Sequence, residues 1–78
     1  MEIEAKCKVK ENHIEMIRKW AKLVKKDDKS ETYQLMHITA VIEGGIATIS
    51  MKIKNEKDGQ KAMEKLLALI NKFGLERC

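Results

Sequence analysis

The side chains able to do covalent or acid–base chemistry are few, and they are scattered along the chain. His13 and His37 have no second His, Cys or carboxylate at a ligand spacing, which a metal centre would require. Ser30 and Ser50 lack the turn signature and paired base that activate a nucleophile. Gly44-Gly45 is not followed by a helix start, nor surrounded by a Gly-x-x-x-x-Gly-Lys pattern, so it reads as a turn and not as a phosphate cradle. These residues predict no catalytic site, no metal and no cofactor.

Binding chemistry is better represented. A solvent-facing sheet surface would bring Lys6, Lys8 and Lys10 beside Lys52 and Lys54, with Tyr33 and His37 on the adjoining strand. Basic sheets bearing stacking rings are how single-stranded RNA is held. One Tyr and no ring on the central strand make a poor version of that surface, and a solvated lysine face is the plainer reading. Arg18 and Arg77 are the only arginines, whereas bidentate phosphate recognition favours Arg.

Apolar side chains form a second group. Met16, Trp20 and Leu23 lie at the margin of an apolar helix face, as do Met63 and Leu67 in the last third of the chain. They either complete the core or anchor a partner. Leu35, Val41 and Ile46 are expected on the solvent side of the sheet, where a domain this small leaves them in water only at a cost.

The elements that must position these residues follow from periodicity. Residues 2–10 alternate strictly, with Ile3, Ala5, Cys7 and Val9 on one side, which marks a half-buried strand. Asn12 followed by Glu15 resembles a capping box, and the apolar positions Ile14, Ile17, Ala21 and Val24 carry a helix to about Lys26. Asp27-Asp28-Lys29-Ser30 is a polar connection. A strand over 33–42 then meets Gly44-Gly45, a signal for a two-residue hairpin, and a partner strand over 46–53. The register puts Ile42 opposite Ala47, Ala40 opposite Ile49 and Ile38 opposite Met51. Tyr33, Leu35, His37, Thr39 and Val41 then share the other face. Asn55 and Asp58 introduce a second helix, with Ala62, Leu66, Ile70 and Phe73 inward, stopped by Gly74 and Leu75 in a Schellman arrangement.

The predicted order is β-α-β-β-α in a single domain, residues 1–78. It is an α+β fold: a three-stranded antiparallel sheet of order 1-3-2 with two helices on one face, ferredoxin-like but lacking the last strand. The right-handed crossover sets that order and leaves the edge of the first strand open.

With 78 residues and a net charge of +4, the chain buries a modest core and carries only a mildly basic field. The cysteines, Cys7 on an apolar strand face and Cys78 at the last position, do not form a disulfide framework. They suit a reducing, cytoplasmic setting. No stretch reaches the length of a membrane span, and the Lys- and Glu-rich, Pro-free composition is thermophile-like. Without staples, a small fold gains most by oligomerising.

The segment Ile38-Thr39-Ala40-Val41-Ile42-Glu43-Gly44-Gly45, running into Ile46-Ala47-Thr48-Ile49-Ser50-Met51-Lys52-Ile53-Lys54 and then a helix with Ala62, Leu66 and Asn71, is similar to the small dimerising subunit of the KEOPS complex, the LAGE-like family. The chain departs from that family at its Ala-x-Asp step, where Asn55 stands and Asp58 is offset, and no Arg follows Ala62. A paralogue fits those departures better than an orthodox member. The resemblance implies a noncatalytic dimerisation or adaptor role in threonylcarbamoyladenosine synthesis on tRNA. The partners would be itself or a paralogous subunit and a larger catalytic subunit, with tRNA met indirectly and no membrane involved. Two other readings stand beside it: a free-standing RNA- or DNA-binding sheet, and a designed or orphan domain without selected function.

Overall fold

The computed structural model describes residues 1–78. Its elements are β1 (Glu2–Lys8), α1 (Glu11–Trp20), β2 (Lys22–Lys26), β3 (Ser30–Leu35), β4 (Ile38–Glu43), β5 (Ile46–Lys52), α2 (Gly59–Phe73) and β6 (Glu76–Arg77), with a 3-10 turn over Glu56–Asp58. They build one six-stranded antiparallel sheet of order β2-β3-β4-β5-β1-β6. Both helices pack on one face of it, closing over a core that includes Cys7, Ile17, Tyr33, Ile49, Leu66, Ile70 and Phe73.

The hairpin read from Gly-Gly is present in the expected register, with Ile42 beside Ala47, Ala40 beside Ile49 and Ile38 beside Met51. Gly44 and Gly45 take φ of 56° and 79°, the paired positive values of a type I′ turn. β5 lies between β1 and β4, as the crossover rule requires. The C-terminus of α2 is also as read: Gly74 is left-handed, Gly74 N–H donates to Asn71 O, and Leu75 N–H donates to Ile70 O at 2.9 Å, which are the two Schellman bonds.

The three-stranded, ferredoxin-like sheet is overturned: the fold is α+β, but the sheet has twice that number of strands. Three local events produce the difference. First, α1 stops at Trp20, and Ala21 is extended at φ −115°, ψ 159°. Lys22–Lys26 then runs as an edge strand against β3 and not as helix. The polar connection is a tight turn in which Asp27 Oδ1 accepts from the N–H groups of Lys29 and Ser30 and from Ser30 Oγ. Side-chain bonding of this kind lets Asp favour turns.

Second, the strand expected over 33–42 is two strands joined by a turn at Met36-His37, where Met36 has φ 55°. That turn reverses facing. Tyr33 sits beside Ala40 and Leu35 beside Ile38, on the helix side of the sheet. Third, the edge of β1 expected to be open is half covered. β6 pairs with Cys7 and Lys8, and Cys78 N–H donates to Lys6 O at 3.0 Å.

The helix starts differ in detail. α1 is capped at Lys10 and not at Asn12, with Lys10 N–H donating to His13 Nδ1 at 3.0 Å. Asn55 precedes the 3-10 turn and makes no side-chain cap bond.

Candidate functional site

The polar centre of the molecule joins α1 to β3. Arg18 Nε donates to Tyr33 Oη at 3.0 Å, and Arg18 Nη2 reaches both oxygens of Glu31 at 3.1 Å. Tyr33 Oη in turn donates to Glu31 Oε1, and Glu11 lies 3.8 Å from Arg18 Nη1. Hydrogen bonds from Tyr33 and then from Arg18 hold the Glu31 carboxyl below its usual range. Burial, then the Glu31 bond, pushes the Tyr33 phenol up. The Arg18 guanidinium is held more firmly charged by Tyr33 and Glu31. Arg18 Nε and Nη2 and the Tyr33 hydroxyl all donate to internal partners, so the cluster's chemistry is structural clamping: a charged fork fixing α1 on the sheet. The sequence reading set Tyr33 on the outer face of the sheet, and so missed it.

Tyr33, expected beside the lysines as a stacking ring, is only 3% exposed and belongs to the core. The nucleic-acid face thereby loses its ring. Lys6 and Lys8 do project from the outer face of β1, and Lys52 from β5. His37 is exposed in the β3–β4 turn and borders a shallow basin with Gln34, Thr39, Ser50 and Lys52. Lys10 caps α1. Lys54 lies past the end of β5, sharing a hollow of about 270 Å³ with Lys52, Lys61 and Lys65. The lysines are thus divided between the sheet face and the start of α2.

The apolar candidates divide as well. Leu35 lines a small apolar cleft between sheet and helices with Ile17, Ala21, Leu69 and Phe73, room for roughly one water-sized sphere at about 20 Å³; it is core-facing and not solvent-facing. Val41 and Ile46 are half-buried on the outer face, where Thr48 sits beside Val41 and Glu43 beside Ile46. Met63 and Leu67 are half-buried on α2.

Met16, Trp20 and Leu23 remain outside the core, joined by Val24. Trp20 is 56% exposed, its ring flanked by Lys72 Nζ at 5.3 Å and Lys19 Nζ at 6.0 Å. Such cations stack on the ring face without covering it. Leu23 and Val24 belong to β2, whose five residues are all exposed, whereas Met16 and Trp20 stand on α1, with the Trp20 ring turned toward Lys72 of α2. At the sheet's other rim, β6 stops short, so the backbone of Glu2 to Ala5 has no partner on that side. The protein therefore has two unpaired strand edges, and an unpaired edge is a template for another strand.

No three His, Cys, Asp or Glu side chains are gathered closely enough to hold a metal ion. Both cysteines are free; Cys7 is fully buried and its thiol is pushed up by burial and then by Cys78. No helix is long and apolar enough to cross a membrane. Family models, curated proteins and solved structures were all compared with the chain, and none matches it.

Proposed function

We propose that this chain is a noncatalytic association module, joining a second copy of itself along the rim of its sheet. The observation that carries the reading is the β2 rim, where Leu23 and Val24 stand exposed on the last strand of the sheet, its outer edge unpaired over the full length, with the exposed Trp20 two residues before it in the chain. A small fold has few ways to cover such a surface internally, and burying it against another chain recovers apolar area at roughly 25 cal/mol per Å². The cytoplasmic setting belongs to the same reading, supported by an exposed Cys78 and a buried, unpaired Cys7. The narrower role, service in a KEOPS-type assembly, has its support in the hairpin segment 38–54 and the helix positions Ala62, Leu66 and Asn71 that follow it.

Sedimentation equilibrium of the full chain from low micromolar to about 1 mM tests the reading. The average mass is expected to rise with concentration, and Trp20→Ser to lower the association. A mass that stays at one chain across the whole range contradicts it.

A further inference from the structure

The two free edges carry opposite charges on the same face of the sheet. Residues that sit beside one another across the strands run Lys22, Gln34, Thr39, Ser50, Glu4. That row starts with a lysine on β2 and ends with a carboxylate on β1. On β2, Lys22 and Lys25 lie opposite Gln34 and Thr32. The bulge at Val24 makes these two lysines alternate positions despite their spacing in sequence. On β1, Glu2 and Glu4 project to the same side as those lysines. Between the charged residues, Leu23 on β2 and Ile3 on β1 point to the helix side, beside Tyr33 and Met51 respectively.

Three pairings of edges are available to two copies. A two-fold joint of β2 with β2 sets lysines against lysines, and one of β1 with β1 sets Glu2 and Glu4 against each other. Like charges directly across strands are unfavourable. The remaining joint brings β2 of one copy to β1 of the next. Neighbouring strands alternate in direction through β2-β3-β4-β5-β1, so β2 and β1 point the same way and this joint is parallel. β6 covers β1 from Lys6 onward, which confines the incoming strand to Glu2–Ala5. Within that stretch Lys22 falls beside Glu2, Leu23 beside Ile3 and Lys25 beside Glu4.

We infer that the chain associates head to tail, the lysine edge β2 of one copy adding to the acidic half-edge Glu2–Ala5 of β1 on the next. This rests on the self-association reading above and specifies its geometry. Such a contact is heterologous, so a joined pair keeps one free edge of each kind, and the assembly grows as a ring or a filament and does not stop at a two-fold dimer. The exposed Met1 on one rim and Leu23 and Val24 on the other lie at the ends that the joint brings together. The ion pairs lie in solvent, so association weakens as salt rises.

Charge exchange tests the joint. All four positions are exposed, and circular dichroism of each variant confirms folding. Glu2→Lys/Glu4→Lys alone and Lys22→Glu/Lys25→Glu alone are each expected to lower the association constant at least about tenfold. An equimolar mixture of the two regains association, because each joint in it again pairs opposite charges, and so does the chain carrying all four changes. Wild-type association that both double variants retain, or that the mixture fails to restore, overturns the head-to-tail joint while leaving self-association standing. A wild-type chain that stays single overturns both.

Discussion

Arg18 is the residue that clamps α1 to β3. It holds Tyr33 and Glu31 at hydrogen-bond distance, and the carboxyl pays back the contact with a pH dependence. Glu31 is held below its usual range by Tyr33 and Arg18. A carboxyl with a lowered folded-state value contributes stability above its unfolded value of about 4.3, and loses it as pH falls through the folded value. Glu31→Gln is therefore expected to lower stability by about 0.5–1 kcal/mol at neutral pH, the small end for a charged pair that is partly in solvent. Urea midpoints measured from pH 7 down to pH 2 should show the variant and the wild type converging below about pH 4. Curves that stay parallel over that range contradict the clamp. Asp27, lowered by the N–H groups of Lys29 and Ser30, leaves a residual acid slope in both proteins.

Turns decide which face each strand shows. Between Leu35 and Ile38 the apolar residues slip phase: Tyr33 and Leu35 occupy odd positions, whereas Ile38, Ala40 and Ile42 occupy even ones. A slip of one residue reverses facing, and Met36-His37 supplies it. The turn escaped sequence reading because it contains no Gly, Asn or Asp, the residues that ordinarily mark positive φ. Met36 is 83% exposed at φ 55°, so its side chain contributes little packing to offset the conformation. Met36→Asn should raise stability by about 0.5 kcal/mol and Met36→Val lower it by about 1 kcal/mol; denaturation midpoints check both, and a neutral or inverted order contradicts a strained turn. The Gly-Gly hairpin was legible because its turn uses glycines, and the α2 stop because Gly74 is followed by an apolar residue that folds back. The β2 strand was illegible for a different reason. Lys22-Leu23-Val24-Lys25-Lys26 continues the helical spacing of α1, and only the unfilled edge of β3 draws it into the sheet, a tertiary override of local pattern. The candidate surface was half visible: Met16, Trp20 and Leu23 were found at the helix margin, but the edge beside them depends on that override.

At the scale of the whole molecule, the sheet is a strip with a lysine rim at β2, a short acidic rim at the start of β1, and hydroxyl-rich rows between them. Helices cover one face only, and Leu23 and Val24 on the β2 rim stay exposed. Growth along the strip is the arrangement that satisfies both rims at once. Amide hydrogen exchange, read residue by residue in dilute and concentrated solution, tests this most directly, because an amide that gains a strand partner is protected. The account predicts that slowing with concentration appears together in the outward-facing amides of Lys22–Lys26 and in Glu2 and Glu4, whose backbone faces away from β5, while the β6-covered residues Lys6 to Lys8 stay unchanged. Protection confined to one rim, or to neither, contradicts it.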